Sequence, residues 1–295
     1  MLFPLKGASG EEVQVIQDVR LQVYFQEPLR GAAQAVARAY PALKNELEEI
    51  FLWPLSGRPT VLLMGQRAHF QSMAESPLTV AFAVPDKGLI VMDHSRMRTD
   101  PFSLEDTLKH ELCHLLLHQH IGDDRLPRWL DEGLCQWVSG GIPDIVLDQK
   151  RSRLNRAILS GRTIPMRALS AGFPRDAERL TLAYEQSKSF VLFLVGRFGR
   201  EGIVRMLERM RQGLSVERAL ESSFSVSLVE LERDWQRSLR KRMTWFVYVS
   251  YHLYEILFAL MALISIAAAV KLVLRRRALR EEMDDDVAVS REWRR

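Results

Sequence analysis

The chain has 295 residues, of which 41 are basic and 37 acidic, giving a formal net charge of +4; 47% of its residues are hydrophobic. That length suits one or two domains with a sizeable core, and so mild a basic excess gives no footprint for nucleic acid. Two cysteines exclude a protein held together by a disulfide framework. Residues 1–10 offer too short an apolar run, and no basic start, for a secretory signal. Val13, Val15, Val19, Leu21, Val23 and Phe25 alternate as one or two strands would. Residues 29–39 and 41–52 predict two helices separated by Pro41. A buried strand over 60–64 and a short helix over 67–75 follow. Residues 78–84 and 89–92 are β-rich and apolar, with Pro85-Asp86-Lys87-Gly88 as the turn between them.

The next helix begins at Ser103, a good N-cap, with Glu105 and Asp106 placing negative charge in its first turn. It carries His110-Glu111-Leu112-Cys113-His114 and can close at Gly122. Pro127 suits the first turn of a second helix, which carries Glu132 and ends at Gly140-Gly141. The remainder reads as helices over 147–160, 176–195, 200–211, 215–223 and 228–242, the last opened by a capping box of Ser227 and Glu230. Residues 256–270 are uncharged and apolar, and 272–274 extend them past Lys271, so about nineteen residues can cross a bilayer as a helix. Trp245, Tyr248, Tyr251 and Tyr254 precede this span like an interfacial belt. Arginines flank it on both sides almost equally, so the positive-inside rule does not orient it. The charged tail is expected to lack fixed structure.

Two histidines four apart lie one turn apart on the same helix face, so His110 and His114 can reach one ion. Glu111 flanks that face and can reach a water on the ion. This is the HExxH arrangement of zinc metalloproteases. With Glu132 as third ligand, one zinc position stays open for water. His118 shares the face of His114 but lies about 12 Å along the axis from His110, too far to join the same ion. His120 stands six residues after His114 and has turned off that face; both are expected to be solvated. Cys113 and Cys135 follow His110 and Glu132 by three residues each. They are either small core residues that let two helices approach or a disulfide clamp.

His110, Glu111 and His114 followed by Trp129, Leu130, Glu132 and Gly133 resemble the gluzincin zinc metallopeptidases, and most of all the peptidase MA-like family. The resemblance implies one Zn2+ held by His110, His114 and Glu132, with Glu111 catalytic and a peptide or protein as substrate. It implies a small sheet beside the zinc helix, whose edge strand along the cleft either pairs with extended substrate or is an ordinary sheet edge. Aminopeptidases with the same Trp-Leu-x-Glu-Gly stretch carry a Gly-Ala-Met-Glu-Asn motif, which this chain lacks; that favours an endopeptidase. Tyr184 to Ser187 matches a Tyr-x-x-Ser stretch of peptidase MA-like sequences. Tyr184 is therefore either a hydrogen-bond donor to the developing oxyanion or a Tyr packed between helices.

The expected architecture is α+β: a small N-terminal mixed sheet with helices, a zinc-binding helix pair, a helical C-terminal part, then one transmembrane helix. Residues 1–243 form the catalytic domain, with an α/β part over 1–100 and a mainly helical part over 101–243. Residues 245–274 cross the lipid bilayer once, and 275–295 form the charged tail. Relatives of this kind are often exported, which favours a catalytic domain outside the cytoplasm. A non-peptidase zinc hydrolase and a membrane-tethered binding protein remain the alternatives.

Overall fold

The computed structural model describes residues 5–6, 12–74, 76–97, 103–122, 124–140, 152–242 and 252–292. Two compact units divide the chain, residues 1–238 and 239–295.

The first unit opens with strands β1 (Leu5–Lys6), β2 (Glu12–Gln17) and β3 (Gln22–Phe25). Asp18 makes the β2–β3 turn, its Oδ1 accepting from the backbone N–H of Arg20 and Leu21. Helix α1 (Arg30–Phe51) then returns the chain to β4 (Thr60–Met64), which pairs parallel to β3. Helix α2 (Arg67–Gln71), β5 (Ala81–Val84) and β6 (Leu89–Asp93) complete a mixed sheet of order β1-β2-β3-β4-β6-β5. Val23 and Phe25 on β3, and Val61 and Leu63 on β4, put alternate side chains into the core. Ile90 through Asp93 on β6 are all buried, as in a strand covered on both faces. The β5–β6 turn is a 3-10 turn over Pro85–Lys87, closed by Gly88 at φ 55°, a conformation glycine adopts freely.

Pro41 does not separate a pair of helices; it lies inside α1. A proline inside a helix costs about 3 kcal/mol. Ala33, Val36, Tyr40, Leu43, Leu47 and Phe51 form one buried face that continues across it, and each large apolar side chain so buried stabilises by roughly 1.5–3 kcal/mol. Burial of that face outweighs the lost hydrogen bond. The Tyr40 hydroxyl in this face has no hydrogen-bond partner among the described residues, and burial pushes its phenol up to about 12. Above the ordinary value of 10.0 an unfolded phenol ionises while the buried one stays neutral, so stability falls as pH rises from 10 towards 12. Tyr40→Phe is expected to be neutral or stabilising by about 1 kcal/mol at pH 7 and to flatten that alkaline loss, as read from urea midpoints across the pH range.

Helix α3 (Leu104–His120) is capped by Ser103 Oγ, which accepts from Asp106 N at 3.0 Å. Thr107, Leu108, Leu112, Cys113, Leu115, Leu116 and Leu117 bury every face of it, as befits a helix in an interior. It packs on α1, β5 and helix α4 (Arg128–Val138). Pro127 stands at the N-cap of α4, and Gly140, at φ 77°, follows its end. The chain continues through α5 (Arg153–Ser160), α6 (Ala168–Ala171), α7 (Ala177–Arg211), α8 (Val216–Phe224) and α9 (Leu228–Arg242). The two helices expected over 176–211 abut within α7 at Gly199, where φ is 72°. The capping box forms: Ser227 N donates to Glu230 Oε2 and Glu230 N to Ser227 Oγ.

In the second unit, helix α10 (Leu253–Glu292) contains one stretch, Leu253–Leu272, long and apolar enough to cross a membrane. Its only charges are Glu255 and Lys271 near the two ends, and its length is about 30 Å. None of it is buried. Trp245, Tyr248 and Tyr251 of the expected interfacial belt lie outside the described residues. The helix runs on to Glu292, through the stretch expected to lack fixed structure. That stretch contains neither Gly nor Pro and is rich in Arg and Glu, so the backbone meets no strong helix breaker.

Candidate metal centre

Helix α3 presents His110 and His114 on one face, their Nε2 atoms 3.1 Å apart. Glu132 reaches the same point from α4, its Oε2 lying 3.6 Å from His110 Nε2 and 3.8 Å from His114 Nε2. The point equidistant from three atoms so spaced lies about 2 Å from each, which is the bond length zinc makes to nitrogen and oxygen. All three side chains are buried. Among the described residues Glu132 Oε2 has no hydrogen-bond partner, and neither does Oε1 of the buried Glu111. Buried carboxylate oxygens left unpartnered are costly; a cation explains the one on Glu132. The donor set of two imidazoles and one carboxylate fits zinc with a position to spare.

Asp131 and Arg128, neither anticipated from the sequence as belonging to a site, hold two of these side chains. Asp131 Oδ1 lies 2.7 Å from His114 Nδ1, so the proton of that ring is held at Nδ1 and the Nε2 lone pair faces the cluster. Burial disfavours a charge on His114, but the Asp131 carboxylate outweighs it and raises the imidazole well above its usual value. Burial likewise pushes Glu111 up. For Glu132 the upward push of burial is overcome by Arg128 and the two histidines, which hold it low. Arg128 Nη2 is 2.9 Å from Glu132 Oε1, leaving Oε2 as the oxygen turned to the histidines. The signal for both residues was adjacency: they are the i−1 and i−4 neighbours of Glu132 on one helix. Arg128→Met is expected to weaken zinc binding by roughly tenfold. Because the lost guanidinium lowered the Glu132 carboxyl, the acid limit of zinc retention should move to higher pH. Zinc transfer to a chromogenic chelator between pH 5 and 8 measures both.

His118 and His120 are half-buried, and each has a partner. His118 Nε2 is 3.1 Å from Asp131 Oδ2. His120 stacks on Trp53 at 4.8 Å between ring centroids, with Nε2 2.9 Å from the carbonyl oxygen of Pro54. A cavity of about 850 Å³ beside His120 is lined by none of the clustered residues. Cys113 on α3 and Cys135 on α4 are buried free thiols on two helices that pack together, as small core residues at a helix crossing are. Tyr184 lies on α7, buried, with its ring edge-on to Phe173 at 5.0 Å. Arg128 caps the same Phe173 ring at 5.8 Å. Gly133 lets α4 approach α7 closely: a Cβ there would meet Val191 Cγ2 at 2.5 Å and the carbonyl oxygen of Ser187 at 2.6 Å.

The model of the Peptidase MA superfamily matches residues 80–241. That is more than half of the chain, and it takes in α3, α4 and β5; the chain belongs to this superfamily. No curated protein matches it. Among solved structures it is similar to an M1 zinc metallopeptidase from Deinococcus radiodurans at 15% identity and a TM-score of 0.44, covering 80% of this chain and 50% of that one. It is also similar to an aminopeptidase A from Legionella pneumophila solved with aspartic acid, at 14% identity and a TM-score of 0.43, covering 80% of this chain and 27% of the other. The chain thus spans about half the length of the first of these and less of the second.

Proposed function

We propose that this protein is a membrane-anchored, zinc-dependent endopeptidase whose single zinc ion is held by His110 Nε2, His114 Nε2 and Glu132 Oε2. The observation that carries the reading is the convergence of these three atoms, one of them a buried carboxylate oxygen without a hydrogen bond among the described residues. Zinc bound there supplies Lewis acidity, polarising a carbonyl and acidifying water. The chain's own groups do the rest. Glu111 Oε1 takes a proton from the attacking water and delivers it to the leaving amine nitrogen. That oxygen is buried and has no hydrogen-bond partner among the described residues, which leaves it available. β5, the last strand in the sheet order and packed beside α3, has no second neighbour among the described strands and offers that edge to an extended peptide backbone. The catalytic domain occupies residues 1–243, and the bilayer is crossed within 245–274, supported by the apolar exposed stretch of α10.

Tyr184 is the proposed donor to the carbonyl oxygen as negative charge develops on it. Tyr184→Phe should lower turnover by about 10²-fold and leave zinc content unchanged; unaltered turnover removes the residue from the mechanism. The reading as a whole is tested with the full-length chain in detergent against a peptide library and a panel of esters. Cleavage of internal peptide bonds, lost on chelation and restored by zinc, is the expected result. Zinc uptake with ester but no peptide hydrolysis would replace it by a different hydrolase.

A further inference from the structure

Asp131 carries an imidazole on each of its oxygens. Oδ1 lies 2.7 Å from His114 Nδ1, and Oδ2 lies 3.1 Å from His118 Nε2. We propose that His118 is a positioning residue of the metal centre, which orients the His114 ring by fixing the Asp131 carboxylate between them. The inference rests on the zinc reading above and adds to it a residue outside the ligand set.

The geometry follows from the helix. His110, His114 and His118 succeed one another at intervals of four, so all three lie on one face of α3. His118 is too far along that face to share an ion with His110. Asp131 crosses from α4 and spans the single turn between His114 and His118. A carboxylate turns easily about its last bond, because such torsions have broad minima. Anchored at one oxygen alone, Asp131 could swing and let the His114 ring tilt. With its two oxygens tied to groups one turn apart on the same helix, the carboxylate plane is locked. The thiol of Cys135 also approaches Oδ1, at 4.0 Å, but it is a weak donor on the oxygen already bound to His114 and does not restrain Oδ2. Side-chain exposure is 9% for His114, 6% for Asp131 and 18% for His118, so His118 is the outer end of the set. A neutral ring with its proton on Nε2 is sufficient, and no change of charge is involved.

A purely space-filling role would tolerate an apolar side chain at 118; the positioning role requires a donor at the reach of Nε2. Glutamine meets that requirement, since its amide nitrogen stands as many bonds from Cβ as His Nε2 does. The experiment loads full-length wild type, His118→Gln and His118→Leu with zinc in detergent and follows release to excess chromogenic chelator. The Leu chain is expected to release zinc about tenfold faster than wild type, and the Gln chain within about twofold of it. Should the Leu chain fail to fold by circular dichroism, His118→Asn, whose amide is one bond too short, takes its place with the same expected rate. Equal release from the donor-less chain and wild type overturns the proposal, as does a Gln chain that behaves like Leu. A wild-type chain that takes up no zinc overturns both this proposal and the metal reading beneath it.

Discussion

Glu111→Gln is expected to lower peptide turnover by roughly 10³-fold, the scale of a lost general base, with zinc still bound stoichiometrically. Glu111 is 1% exposed and sits between the positions of the two histidines on α3. Glutamine keeps its volume and can still hydrogen-bond, so the helix should be undisturbed. What it cannot do is hold a proton between the attack of water and the departure of the amine. Paired measurements of kcat and of metal by atomic emission separate the two functions. Turnover near the wild-type value would mean that another group is the base. Loss of zinc along with activity would mean that Glu111 helps to build the centre and does not only act within it.

Gly133→Ala is the substitution expected to cost the most stability for the fewest atoms. The added Cβ would lie 2.5 Å from Val191 Cγ2 and 2.6 Å from the Ser187 carbonyl oxygen. The Val191 methyl could rotate, but the backbone oxygen can move only with α7 itself. Overpacking of this kind costs about 1–3 kcal/mol, or roughly 5 °C in melting temperature for a domain of this size. Any relief pushes α4 away from α7 and displaces Glu132, the preceding residue. Zinc affinity should therefore fall with stability, although Gly133 touches no ligand atom. Gly196 within α7 is the control: nothing stands within 4 Å of a Cβ there, and an alanine in a helix is favoured over glycine by up to about 1 kcal/mol. Gly196→Ala should thus melt no lower than wild type, and equal losses in the two variants would refute the close-packing argument.

Much of the helical region was legible because its signals are local. Ser103 before Glu105 and Asp106, and Ser227 before Glu230, mark helix starts through hydrogen bonds three residues long, and both form. Pro41 misled for the complementary reason. Its penalty is local, whereas the face that overrides it is buried by the sheet and by α3. The partners of His120 were hidden because nothing near it in sequence is one of them; Trp53 and Pro54 come from the segment that follows α1. Asp131 and Arg128 were hidden in plain view inside the stretch that drew attention to Glu132.

From the sequence alone it followed that His110 and His114 share a face, because a helix of any environment repeats every 3.6 residues, and that one long apolar run near the C-terminus can match a bilayer, because length and composition suffice. The distance of Glu132 from those histidines was a different matter. It depends on how α3 and α4 cross, on a glycine that admits α7 against α4, and on an arginine that takes one carboxylate oxygen and turns the other inward. Those are sums of many packing contacts between residues remote in the chain, and only the folded structure decides them.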